Sequence, residues 1–208
     1  MYYVKSLTYQ DQLTLGSKGN MTKRRRPSYR YSNSSSRFPD LLPCLKTRLA
    51  WEQERLVLFG REVSVPRQVA FLGDHGLCYR YSGKDHYGQG WPDWLLDTKQ
   101  EAERLSGQGF NSVLLNWYQD GDDYMGWHSD SEAALGPAPV VTMLSLGAER
   151  TFLFRLKGNH KVKHERLLAN ESWLVMAPST QVLWQHSLPK RRKVKEERIS
   201  LTFRLLLF

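Results

Sequence analysis

Cysteine is scarce. Cys44 and Cys78 are the two in 208 residues, too few and too far apart for a disulfide framework or a thiolate metal cluster, and this fits a reducing compartment. No apolar run approaches the ~20 residues of a membrane-spanning helix, which excludes an integral helical membrane protein. The opening residues, MYYVKSLTYQDQ, lack the apolar stretch of a secretory signal, so the chain reads as not secreted. No internal repeat is visible. Acidic residues are the minority: 21 Asp and Glu against 30 Lys and Arg give a net charge of +9. What is present is an ordinary globular share of hydrophobic residues, 40%, with 12% aromatics and seven Trp. That suffices for one domain with a sizeable core. A basic, aromatic-rich domain points to nucleic acid as a partner.

The positive charge is concentrated. Residues 1–40 hold eight basic and two acidic side chains, including Lys23-Arg24-Arg25-Arg26. This stretch shows neither helical nor strand periodicity and reads as a flexible basic N-terminal arm over 1–39, ahead of a single domain over 40–208. Such an arm is either a solvated tail or an electrostatic tether to phosphates.

Asp40 is placed to cap a short helix carrying Leu41, Leu42, Leu45 and Leu49. The β-branched and aromatic residues of ERLVLFGREVSVPRQVAFLG predict strands and a turn, and GLCYRYSG another strand. DHYGQG reads as a loop. WPDWLLDTKQEAERLSGQG predicts a helix with Pro92 in its first turn and Gly107 just past its end. From Phe110 onward the chain reads as short strands: FNSVLLNWY, PVVTMLSLG, RTFLFRLK, ERLLANESWLVMAP, TQVLWQHSL and ERISLTFRLLLF. With no long helix between them, they imply an antiparallel sandwich or barrel. KGNHKVKHER reads as a polar hairpin connection, so its His160 and His164 are assigned no metal.

Two features carry chemistry. In Trp127-His128-Ser129-Asp130, residues i and i+2 of an extended chain share a face, so His128 and Asp130 can converge on one ion. His186 follows in WQHSLP. Two imidazoles and one carboxylate make the facial set used for non-haem Fe(II), which leaves positions open for a co-substrate and O₂. In RISLTFR, Arg198, Ser200, Thr202 and Arg204 alternate to one face, with Ile199, Leu201 and Phe203 on the other. Two arginines on one face of an otherwise apolar strand are costly to bury without an anion, and a dicarboxylate such as 2-oxoglutarate supplies one.

NWYQDGDDYMGWHSDSE, then QHSLP, then RISLTFR together resemble the AlkB family of Fe(II)/2-oxoglutarate-dependent nucleic acid dioxygenases. The match runs from about Val57 to the C-terminus. The resemblance implies a mainly β, α+β fold: a double-stranded β-helix (jelly-roll) core over 110–208, with N-terminal helices and a base-recognition lid over 57–90. That lid is similar to the one in the subgroup repairing duplex DNA. The resemblance makes His128, Asp130 and His186 the Fe(II) ligands and catalytic centre. It places Asn116, Tyr118, Arg198, Ser200 and Arg204 on 2-oxoglutarate, Ser200 standing where the family commonly has Asn. Tyr81 would stack on an extruded base, Tyr79 and Glu132 would contact its polar edge, and Phe59 would fill the gap left in the duplex. Arg67 would contact a phosphate or that gap. Extrusion is what chemistry on a stacked base requires, and an apolar wedge helps offset the lost stacking.

The implied activity is oxidative demethylation of 1-methyladenine and 3-methylcytosine in DNA, duplex favoured, with etheno adducts as further candidates and a monomeric enzyme. 2-Oxoglutarate is decarboxylated and the methyl group leaves as formaldehyde. Three other readings stay open: the same chemistry on RNA or tRNA, a nucleic-acid-binding module without catalysis, and a hydroxylase of a protein or small molecule. The basic loops KGNHKVKHER and KRRKVKEER could grip phosphates beside the nucleotide. The location would be cytoplasmic in a bacterium and nuclear in a eukaryote.

Overall fold

Alternation of apolar residues organises the larger part of the chain into two antiparallel sheets. The computed structural model describes residues 26–33, 38, 40–58, 61–81 and 83–207. In chain order the elements are β1 (Tyr29–Asn33), α1 (Leu41–Arg48), β2 (Arg55–Leu58), β3 (Arg61–Ser64), β4 (Gln68–Gly73), β5 (Cys78–Tyr81), β6 (Lys84–Tyr87), α2 (Asp93–Ser106), β7 (Ser112–Tyr118), β8 (Met125–His128), β9 (Val141–Gly147), β10 (Arg150–Leu156), β11 (Asn159–Leu168), β12 (Ser172–Met176), α3 (Pro178–Leu183), β13 (Trp184–Leu188) and β14 (Arg198–Arg204). The large sheet runs β1-β12-β9-β14-β7-β4 and the small one β11-β10-β13-β8. Two hairpins, β2–β3 and β5–β6, stand apart from both.

The large sheet is covered on both faces. On one, Leu41, Leu45, Leu95 and Ala102 of the helices pack against Val113, Leu115, Leu144, Trp173, Ile199, Leu201 and Phe203. On the other, Tyr118, Met143, Leu174 and Met176 meet Phe152, Phe154, Trp184 and Leu188 of the small sheet. This is the antiparallel sandwich that the strand pattern implies, and it agrees with the jelly roll that the resemblance implies. β14 shows the division in one segment, with Ile199, Leu201 and Phe203 facing the helices and the alternate residues facing the space between the sheets. Helix α2 ends as expected: Gly107 adopts φ 73°, and its N–H reaches Glu103 O at 2.8 Å. Pro92 sits at the N-cap with extended geometry rather than in the first turn. Asp40 is the N-cap of α1 without a side-chain capping bond.

Several expectations are corrected. Part of the N-terminal arm is a strand: β1 pairs with β12 in register from Tyr29–Met176 to Asn33–Ser172. Tyr29 stacks on Phe154 with ring centroids 5.3 Å apart, and Arg166 lies over both Tyr29 and Tyr31. Two inward tyrosines are a period-2 signal too short to stand out beside the basic run. Residues 1–25 lie outside the described residues. KGNHKVKHER is largely strand β11, whose Val162, His164, Arg166 and Leu168 alternate inward through mostly polar residues. Half of DHYGQG belongs to β6. TQVLWQHSL divides into α3 and β13, and ERLLANESWLVMAP into the end of β11 and β12.

Gly121 sits where the loop after β7 meets the loop before β14. Its N–H donates to Val194 O (2.9 Å), and its carbonyl accepts from Arg191 N (2.7 Å). A Cβ on Gly121 would lie 1.8 Å from Arg191 O. Gly121→Ala is therefore expected to push the two loops apart and lower stability by about 1–3 kcal/mol, measured by denaturant unfolding.

Candidate active site

The site is assembled by strand register. β13 lies beside β8, and His186 is directly opposite His128, their rings 4.2 Å apart. Asp130, just past the end of β8, completes the set. One ligand atom from each of the three lies within 4.8 Å of the others. Neighbouring groups fix each side chain. His128 Nδ1 donates to Gly126 O at 2.9 Å, which leaves Nε2 as the acceptor nitrogen available to a metal. The His186 ring stacks on Phe152, centroids 5.2 Å apart, and its Nε2 lies 3.4 Å from Asp130 Oδ2. The Asp130 backbone N–H donates to Gln181 Oε1 at 3.0 Å.

Burial and charge set the protonation states. His186 is pushed down to about 3 by burial and by His128, so its imidazole is neutral at physiological pH, as a metal ligand requires. Burial alone would raise Asp130, but Arg204, followed by the two histidines, holds it well below the ordinary carboxylate range. Arg204 donates from Nε (3.0 Å) and from Nη2 to Asp130 Oδ1. Burial alone would lower Arg204, and Asp130 more than offsets it. Arg198 is pulled down to about 10 by burial and remains protonated at neutral pH. Its Nε donates to Ser145 Oγ at 2.9 Å, and its guanidinium lies 5.3 Å from the centroid of the Tyr118 ring.

One cavity between the sheets joins these groups. His128, Asp130, His186, Asn116, Tyr118, Arg198, Ser200 and Arg204 all line it. The donor set suits a cation beside an anion. Asp130 Oδ2 is buried with no hydrogen-bond partner, and Arg204 Nη1 is a buried donor likewise without one. A divalent metal would satisfy the first and a carboxylate the second.

The lid residues are placed unevenly. Tyr79 is 1% exposed, its ring against Phe71 with centroids 5.8 Å apart. Glu132 precedes the 3-10 turn Ala133–Leu135, and both Tyr79 and Glu132 act electrostatically on Arg204. Tyr81 pairs through its backbone with Lys84. Phe59 lies outside the described residues. Arg67 is 6% exposed, and its Nε donates to Asn116 Oδ1 at 2.6 Å. The Nε of the guanidinium thus points at the β7 strand in the interior. Sequence reasoning missed Gln181, Ser145 and Phe152. Gln181 was hidden because its short helix reads as strand; a serine or phenylalanine facing inward carries no signal of its own.

The chain belongs to the 2OG-Fe(II) oxygenase superfamily, whose family model matches residues 29–204, and within it to the AlkB family. It is 39% identical over 160 residues to the DNA oxidative demethylase ALKBH2 of Mus musculus, covering 74% of this chain and 67% of that protein. The Homo sapiens ALKBH2 is 41% identical over 160 residues, covering 74% and 61%. The alpha-ketoglutarate-dependent dioxygenase alkB homolog 3 of Rattus norvegicus is 36% identical over 163 residues, covering 74% and 55%. The chain thus spans between 55% and 67% of the length of these relatives. Among solved structures, that of OsALKBH1 is similar in fold, with a TM-score of 0.60 at 15% identity over 86% of this chain and 99% of that one. Among the described residues, no helix is long and apolar enough to cross a membrane.

Proposed function

We propose that the protein is an Fe(II)/2-oxoglutarate-dependent dioxygenase that oxidatively demethylates N-alkylated bases, such as 1-methyladenine and 3-methylcytosine, in DNA. The observation that carries the reading is the meeting, in one buried cavity, of a His-Asp-His set with two guanidiniums from a single strand. The names of the curated relatives support DNA as the substrate class.

His128, Asp130 and His186 would hold Fe(II). When bound with 2-oxoglutarate and O₂, the iron supplies the oxidation, coupled to decarboxylation of the co-substrate. The chain's residues do the rest. Arg198, on a strand wall closed to solvent, would clamp one carboxylate of 2-oxoglutarate with charge-assisted bonds. Arg204 would hold Asp130 in place and offer Nη1 to the co-substrate. Tyr118, Asn116 and Ser200 would complete its polar contacts. The burial of Arg198, Arg204, Tyr118, Asn116 and Ser200 keeps bulk water from the co-substrate side of the centre.

On the substrate side, residues 57–90 would form the lid, with Phe59 entering the duplex and Tyr79, Tyr81 and Glu132 at the extruded base. Methylation leaves the base cationic, and Glu132 would favour that charge. Arg191, Arg192, Lys193 and Lys195 are exposed on the loop leading into β14 and would meet the backbone. The N-terminal arm would add a tether. We read the enzyme as a monomer, working where DNA is: the nucleus of a eukaryote or the cytoplasm of a bacterium.

The test is succinate and formaldehyde release on methylated duplex DNA, single-stranded DNA and RNA in parallel. Duplex DNA is expected to turn over fastest. Equal rates on all three would remove the duplex preference, and turnover confined to RNA would move the substrate to RNA. Arg198→Met is expected to weaken 2-oxoglutarate binding by about 10- to 100-fold, the value of one or two charged hydrogen bonds. Titration of the Fe(II)-loaded protein without O₂ measures it.

A further inference from the structure

Arg67 is a buried cation that the scheme above leaves unused. It lies just ahead of β4, and β4 runs beside β7 with Val69 opposite Asn116. The chain around it is pinned: Arg67 N donates to Val65 O at 2.9 Å, and Pro66 O accepts from Tyr124 N at 3.3 Å. From there Nε reaches Asn116 Oδ1 at 2.6 Å, both residues being more than nine-tenths buried.

A primary amide has an acceptor end and a donor end, and a half-turn exchanges them at almost no steric cost. Which end faces a cavity therefore depends on the neighbours. A guanidinium can only donate. Beside Arg67, the satisfied arrangement is the one with Oδ1 toward the guanidinium. The Nδ2 hydrogens are then the end left for the cavity, which Asn116 lines together with Tyr118, Arg198 and Ser200. An anion there meets a donor; with the amide reversed it would meet an oxygen.

We propose that Arg67 is a positioning residue for the co-substrate: by locking the Asn116 amide in one orientation it presents a hydrogen-bond donor to a carboxylate of 2-oxoglutarate. This rests on reading the cavity as the 2-oxoglutarate site.

The experiment is a double-mutant cycle between Arg67→Met and Asn116→Ala. Its readouts are the dissociation constant of 2-oxoglutarate for the anaerobic Fe(II)-loaded protein, and the affinity for a methylated duplex at several salt concentrations. Arg67→Met is expected to weaken 2-oxoglutarate binding about tenfold, to raise KM for 2-oxoglutarate more than it lowers kcat, and to leave duplex affinity and its salt slope unchanged. Arg67→Lys, which keeps a donor, recovers part of the loss. In the Asn116→Ala background, Arg67→Met changes 2-oxoglutarate binding no further. An equal loss in both backgrounds overturns the proposal. So does unchanged 2-oxoglutarate binding joined to weaker duplex binding with a salt slope shallower by about one phosphate, which would return Arg67 to the DNA backbone. If Arg67→Met does not fold, judged by circular dichroism and melting, the cycle is run with Arg67→Lys. A partial loss in the native background and none in the Asn116→Ala background is then required. A native Fe(II)-loaded protein that does not bind 2-oxoglutarate sinks the reading of the cavity. Native binding that is indifferent to Arg67 sinks this proposal alone.

Discussion

Replacing His186 with alanine is expected to reduce demethylation to background while leaving salt-dependent duplex binding at the native level. The two halves of this result have separate causes. His186 supplies one of three ligand atoms gathered within 4.8 Å, and it is neutral at physiological pH. Without it the iron keeps one imidazole and one carboxylate, too few to fix a facial geometry. Duplex binding, on the reading proposed above, would instead draw on exposed cations of the loop before β14, such as Arg192, whose Nε is 3.2 Å from Asp122 Oδ1 and which is not among the residues lining the cavity. Loss of ring packing against Phe152 will cost stability, so the variant is compared with the native protein below its melting temperature. Formaldehyde release and anisotropy titrations on the same preparation check both halves. Turnover that survives the substitution would remove His186 from the metal set.

Asp130→Ala is expected to cost about 3–5 kcal/mol of folding stability in addition to all activity. Asp130 is 1% exposed and Arg204 5% exposed, and two guanidinium nitrogens of Arg204 rest on one carboxylate oxygen. Removing the acid strands a buried cation without its counter-charge. Asp130→Asn keeps the shape and one acceptor and should lose less stability, with activity still absent. Adding Arg204→Met to Asp130→Ala should return part of the lost stability, because the unpaired charge goes with it, and should restore no turnover. Denaturant melts of the four proteins, with metal titrations alongside, decide the point. A stability loss in Asp130→Ala that Arg204→Met does not relieve would mean the pair is not what holds this wall together.

The His128–Asp130 pair of the candidate metal set and the arginine strand were legible because each is written locally, whereas His186 meets that pair only through the pairing of β13 with β8. His128 and Asp130 are two residues apart, and β14 alternates apolar with polar residues over its whole length, so period and face could be read before any partner was known. The elements that were misread depend on distant partners. β1 becomes a strand through Met176 and its neighbours on β12, and β11 is mostly polar, held in register by β10. Arg67 was placed at a phosphate or a duplex gap by resemblance alone, and a lone arginine after a proline carries no mark of burial. Its hydrogen-bond partner Asn116 lies 49 residues further on.

β14 lies between β7 and β9 in the middle of the large sheet, and it is also the last strand among the described residues. Ile199, Leu201 and Phe203 anchor the helices from its back, while the two guanidiniums of the cavity stand on its front. A premature stop codon ahead of Arg198 would therefore remove scaffold and reagent together.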